Sequence, residues 1–404
     1  MSVAVSPSFG RDARVIGAVG LAHGLSHFYQ LALATLLIVL MPDFGMSFAE
    51  VGALGAVFYG VSGAGQTAAG FAVDRFGARP VLAFGLLATS SAFALIAVLA
   101  SGFWSLVPLV VLAGLGNCVF HPADFAILNA SVDSKRLARA FSVHGLGGTL
   151  GWAPAPPAIY FLSSALGWQA AALIAGAGGM LLATAVLSQG GLMADHRVAR
   201  PGGRPAAPFE VSVLLSAPIL ICLLYFVFIA ITSIGIQQFA VPALRQMFPM
   251  SLEAAAAALS ALLLGSAVGI VLGGVIADRA VRHDVIAAGG LLAAGALTAI
   301  IATGGVPAWL VLPLMTVSGF AAGLTGPSRD MIVRGATPPG ASGKVFGFVY
   351  SGLDIGQMLA PPVFGWLMDH NLPQAIFWGA FVVYLLNVLT VLQIRRFANA
   401  PAAA

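Results

Sequence analysis

The stretch Gly70-Phe71-Ala72-Val73-Asp74-Arg75-Phe76-Gly77-Ala78-Arg79-Pro80 places three charges between two long apolar runs. A second stretch, Gly274-Val275-Ile276-Ala277-Asp278-Arg279, repeats its G-x-x-x-D-R pattern at an offset of 204 residues (Asp74 to Asp278), again between apolar runs. Other positions agree at an offset of 205: Phe141 with Phe346, Gly147 with Gly352, Gly151 with Gly356, and Pro156-Pro157 with Pro361-Pro362. A fixed offset shared by several motifs marks a chain built from two copies of one unit.

Composition sets what that unit is. The 404 residues are 59% hydrophobic and 8% charged, with a mean hydropathy of +0.98, where a soluble domain carries about 25% charged residues. A membrane-crossing helix needs about 20 mostly apolar residues. Twelve such runs occur, near 14–41, 48–72, 80–101, 106–130, 138–163, 168–188, 213–243, 253–277, 285–304, 308–333, 342–368 and 373–394. Without β alternation, only helices satisfy the backbone of so many lipid-facing runs. The expectation is an all-α membrane protein of twelve spans. Residues 1–188 and 213–404 are its two six-helix bundles, and the polar segment 189–212 joins them. Met1–Gly10 has no cleavable signal pattern.

With the N-terminus inside, every Lys and Arg except Arg245 lies on or near the cytoplasmic side, as the positive-inside rule requires. Both termini are therefore expected in the cytoplasm, with the chain multi-pass in the inner (plasma) membrane. The sequence pI of about 9.4 then reflects topology, not nucleic-acid binding. Cys118 and Cys222 both fall within spans and imply neither a disulfide framework nor a metal site.

The loop G-x-x-x-D-R-x-G-x-R between the second and third spans resembles the signature of the major facilitator superfamily, and the second copy falls where that family places it. The resemblance implies two halves related as parallel repeats about an axis along the membrane normal. It also implies gating roles for Gly70, Asp74, Arg75, Gly77 and Arg79, and for Gly274, Asp278 and Arg279. The second copy lacks the later Gly and keeps only Arg282 as a late basic residue. Within the family, Gly114-Leu115-Gly116-Asn117-Cys118-Val119-Phe120-His121-Pro122 and Leu21-Ala22-His23 resemble the fosmidomycin-resistance branch. Gly147-Gly148-Thr149-Leu150-Gly151-Trp152-Ala153-Pro154 resembles the span-5 motif of drug–proton antiporters, with Ala153 where Gly is usual. Two departures stand out. His27 occupies a position that is acidic in the branch, and Ala123 separates Pro122 from its acid, Asp124.

Polar residues within the spans mark the candidate site. His23, His27 and Gln30 share a face of span 1 at i, i+4, i+7, as Asn117, His121 and Asp124 do in span 4. Ionisable side chains at membrane depth face a cavity or a partner. For His23 and His27 both readings stand, and two on one face favours the cavity. His144 opens a glycine-rich stretch of span 5, Tyr225, Thr232, Gln237 and Gln238 lie on span 7, Arg329 and Asp330 on span 10, and Tyr350, Asp354 and Gln357 on span 11. Tyr59, Ser62 and Gln66 on span 2 read as packing. The repeat pairs Pro122 with Pro327, suggesting a bend in both copies, and Asp124 with Arg329, suggesting an ion pair that forms when the inner ends close, with the adjacent Asp330 or cytoplasmic water as the competing partner of either charge.

The chain has no Walker loop, no nucleophile beside its His and Asp residues, and no soluble segment large enough for a receptor domain. An enzyme and a receptor are thereby disfavoured, and no cofactor is expected. The expected function is secondary transport by a monomer working by alternating access, with protons as coupling ion and efflux of a small organic solute. Proton-coupled uptake of a small organic anion is the alternative. His23, His27, Asn117, His121, Asp354 and Arg329 are expected at the substrate site. Asp354 is the first candidate for coupling, followed by Asp124, His27 and His144. In a background without Cys118 and Cys222, cysteines placed at Arg75 and Arg279 should both react with an impermeant maleimide from the cytoplasmic side only. Labelling of either from outside refutes this topology.

Overall fold

The computed structural model describes residues 9–133, 136–188, 214–337 and 342–398, without the side chains of Asp74, Asp278 and Arg279 among others; the joining segment 189–212 lies outside the described residues. Everything described is helix or short connection. The first half contains α1 (Phe9–Phe44), α2 (Phe48–Phe76), α3 (Ala78–Leu99), α4 (Phe103–Asn117), α5 (Phe120–Ser131), α6 (Leu137–Trp152), α7 (Ala155–Leu166) and α8 (Trp168–Ser188). The second contains α9 (Ala217–Met247), α10 (Leu252–Arg279), α11 (His283–Ala302), α12 (Ala308–Ala336), α13 (Ser342–Asp369) and α14 (Pro373–Ala398).

These fourteen segments make twelve spans, because spans 4 and 5 are each broken in two. Pro122 removes the N–H that would bond Cys118 C=O, and its ring crowds that carbonyl, so α4 stops and α5 restarts at Phe120. Pro154, Pro156 and Pro157 likewise separate α6 from α7. In the second copy α12 runs on through Pro327 and α13 through Pro361-Pro362. The bend expected in both copies is thus an interruption in the first alone. Gly319 and Gly323 seat α12 against the Leu262 and Ser266 carbonyls of α10. Among the described residues ten stretches, α4–α5 counted as one, are long and apolar enough to cross a membrane. The other two spans are the split α6–α7 and α13, which carries Tyr350, Ser351, Asp354 and Gln357.

The chain divides into two compact units. One comprises residues 1–45 and 57–202; the other comprises residues 46–56 and 203–404. The first turns of α2 therefore pack with the second unit. There Ser47 and Glu50 form a reciprocal cap, with Ser47 N donating to Glu50 Oε2 at 2.8 Å and Glu50 N to Ser47 Oγ at 3.1 Å. Asp369, at the end of α13, accepts the Phe48 and Ala49 N–H groups, one on each oxygen, at 2.7 Å.

Close helix pairs repeat between the halves. In the first unit Gly147 and Gly151 of α6 face the Gly20 and Gly24 carbonyls of α1; in the second, Gly352 and Gly356 of α13 face the Leu223 and Val227 carbonyls of α9. Small residues let backbones approach where lipid supplies no hydrophobic drive. The two motif loops differ for a backbone reason. Gly77 has φ 94° and joins α2 to α3 in one residue. Its counterpart Val281 resists that conformation, and α10 reaches α11 through Ala280, Val281 and Arg282.

Asp12 of α1 is fully buried and accepts from Arg136 Nε at 2.7 Å and from the Asp133 N–H at 3.1 Å. This ties the start of α1 to the α5–α6 connection. For the helix pair, Gly151→Val drives a side chain into the Gly24 carbonyl and should cost about 3 kcal/mol, read as a lowered thermal midpoint in detergent. Gly178→Val, whose added Cβ meets nothing within 4 Å, should leave the midpoint unchanged.

Candidate functional site

The polar side chains of the first unit converge on Asp124, a fully buried residue one turn into α5. The break at Pro122 starts a new helix at this depth. His144 of α6 lies with Nε2 3.1 Å from Asp124 Oδ2, and His23 of α1 places Nδ1 3.2 Å from the same oxygen. Both histidines are buried, and their rings stack with centroids 3.6 Å apart. His27, one turn beyond His23, stands 4.5 Å from it and 4.4 Å from the Trp152 ring. His121 is exposed, 5.1 Å from His23 and 6.0 Å from His144 between centroids. Gly148 makes room for the group: a Cβ there would stand 2.8 Å from His27 Cε1 and 2.9 Å from His23 Nε2.

A neutral chain of hydrogen bonds runs beside this cluster. Trp152 Nε1 donates to Gln30 Oε1 at 3.2 Å, Gln30 Nε2 to Asn117 Oδ1 at 3.2 Å, and Asn117 Nδ2 to Ser62 Oγ at 2.8 Å. It links α6, α1, α4 and α2. Ser62, read from sequence as packing, is its end, and Trp152 enters as a donor that the helical-face pattern did not reveal.

The second unit holds a different set. Arg329 of α12 bonds Asp330 Oδ1 through Nε at 2.9 Å, and Tyr350 of α13 donates to the same oxygen at 3.0 Å. The Arg329 guanidinium lies 4.6 Å from the Phe226 ring centroid and 5.9 Å from that of Tyr350, within cation–π range. Cys222, Tyr225, Ile332, Val333 and Ile394 lie around Arg329 with no space between them for a water molecule. Asp354 is half-buried on α13.

Of the residues singled out by sequence, the structure brings together His23, His27, His121, Asp124 and His144, with Asn117 alongside. Asp124 and Arg329, expected as partners, each have partners within their own unit. Among the gating residues, Arg75 is exposed with its guanidinium 5.4 Å from the Phe76 ring, Arg79 is half-buried, and Gly70 and Gly274 face open space. The side chains of Asp74, Asp278 and Arg279 lie outside the described residues. Sequence reading passed over the Asp12–Arg136 pair, whose signal was an acid heading an apolar run.

A family model described as Major Facilitator Superfamily matches residues 19–236 and 223–403. The chain is 27% identical over 397 residues to the fosmidomycin resistance protein of Escherichia coli (strain K12), covering 95% of this chain and 92% of that one. It is 26% identical over 146 residues to a probable L-galactonate transporter of the same organism, 36% of this chain and 32% of the relative. Among solved structures, a bacterial homolog to the human lysosomal transporter Spinster, in an inward-facing and occupied conformation, aligns with a TM-score of 0.75 at 18% identity. That alignment covers 98% of this chain and all of the other.

Asn117→Leu should orphan both the Gln30 amide and the Ser62 hydroxyl, at about 1–3 kcal/mol for each buried group. Adding Gln30→Leu and Ser62→Ala should recover part of that loss in detergent melts. Additive losses across the three substitutions would show that the chain is not a coupled network.

Proposed function

We propose, for a chain that belongs to the Major Facilitator Superfamily, that it couples export of a small organic solute to inward movement of protons. The observation that carries this reading is Asp124, buried between two imidazoles with no permanent cation bonded to it among the described residues. A carboxylate so placed can gain and lose a proton, with the histidines passing it on. A fixed Arg or Lys partner would instead hold it ionised. Export is favoured by the likeness, over nearly the whole chain, to a resistance protein.

Coupling is assigned to Asp124 with His144 and His23, ahead of the half-buried Asp354 to which the sequence first points. His27, His121 and Asn117 line the substrate path of the first unit. In the second, Arg329, set among Phe226, Tyr225 and Tyr350, offers a cation and aromatic faces to a solute. The motif loops, Asp74, Arg75, Asp278 and Arg279 included, serve as gates. The protein acts as a monomer in the inner membrane with both termini in the cytoplasm. Uptake of an organic anion is the second reading, favoured by Arg329.

The substrate is found first, by thermal-shift screening of phosphonates, organic acids and drugs at pH 5.5 and 7.5, since a ligand bound by the folded state raises its stability. In proteoliposomes, Asp124→Asn should abolish transport driven by a pH gradient while solute exchange at equal pH persists. Asp354→Asn should keep the pH-driven component. The reverse pattern moves coupling to Asp354, and wild-type flux insensitive to the gradient ends the proton reading.

A further inference from the structure

The cluster on Asp124 has more nitrogen ligands than a single carboxylate needs. His23 Nδ1 and His144 Nε2 both point at Oδ2, at 3.2 and 3.1 Å. His23 Nδ1 is not aligned to donate there, however, and Asp124 Oδ1 also lacks a hydrogen-bond partner. Two polar atoms are thus buried at one spot without hydrogen bonds of their own. One nitrogen each of His23, His121 and His144 lies within 4.8 Å of the others. Three helices supply these ligands: α1, α5 and α6.

We propose that His23, His121 and His144 form a binding site for a divalent transition-metal ion of the Zn²⁺ type, with the Asp124 carboxylate beside the His23 and His144 nitrogens. Zinc is held tetrahedrally by neutral imidazole nitrogen and carboxylate oxygen at about 2.0–2.2 Å. Ligand atoms around such an ion are then spaced by about 3.3 Å, close to the two nitrogen–oxygen distances already present. His121 is the exposed member and gives the ion a way in from the accessible side. Imidazole with one carboxylate suits Zn²⁺, Cu²⁺ or Ni²⁺ over Mg²⁺ or Ca²⁺, which prefer all-oxygen shells. His27 packs on Trp152 and is not among the converging nitrogens. Protons and metal compete for the same atoms, because the ligands bind metal only when deprotonated. The ion would clamp α1, α5 and α6 together, so it should arrest transport.

The experiment uses the full chain, purified with a tag that contains no histidine, and titrates Zn²⁺ against a fluorescent zinc indicator. One ion per protein is expected, bound more weakly at pH 5.5 than at 7.5. His121→Ala should weaken it at least about tenfold, the loss typical when a metal site is disturbed. His23→Gln and His144→Gln should do the same, whereas His283→Ala and His370→Ala, outside the cluster, should not. Co²⁺ should give the intense visible bands of a tetrahedral site in the wild type and lose them in His121→Ala, whose fold is checked by its melt. Absence of a one-to-one site, or a site indifferent to His121, His23 and His144, overturns the proposal. A protein that binds no metal yet keeps pH-driven transport rejects this site and leaves the proton reading standing.

Discussion

A carboxylate buried among apolar helices must be met by donors, or it must give up its charge. Asp124 meets that constraint with a hydrogen bond to His144, the His23 ring lying 3.2 Å from the same oxygen, and much of the first unit is arranged to let both rings arrive. The Pro122 break starts α5 just before the acid. Gly147 and Gly151 bring α6 against α1 closely enough for His23 and His144 to stack, and Gly148 leaves the space that their rings and His27 occupy. Each of these small or helix-breaking residues weakens a helix in isolation. Their combined effect is to set five titratable side chains within one small volume.

The two halves share architecture but differ in chemistry. The glycine faces on α6 and α13 sit at equivalent positions and contact the equivalent partner helices. At the positions of Asp124 and His144 the second half has Arg329 and Val349. An acid among imidazoles is replaced by a base with its own acid and an aromatic surround. Two copies of one scaffold thus carry an acid among imidazoles in one half and a guanidinium beside its own acid in the other.

The repeat offset, twelve spans and two halves were legible because helix-length hydrophobic runs and motif spacing survive without knowledge of packing. The histidine group was half legible. Helical spacing put His23 with His27 and His121 with Asp124 on common faces, but spacing within one helix cannot say which faces of different helices meet. Repeat equivalence suggests Arg329 as one partner for Asp124, and only the structure shows that His23 and His144 of its own unit lie against it. Trp152 and Ser62 escaped for the same reason, since a hydrogen-bond chain over four helices leaves no periodic trace. Asp354 reads as deep when depth is counted along its span, whereas burial depends on neighbours and leaves it half-buried.

Asp369 has a consequence beyond capping. Its two oxygens occupy the free N–H groups at the head of α2, a helix whose remainder packs with the other unit. The head of α2 is therefore held inside the second unit by two short, directional bonds, while the rest of the same helix belongs to the first. A single helix thus serves two cores, and its first turns are fixed by charge and backbone geometry where its later turns are fixed by side-chain packing.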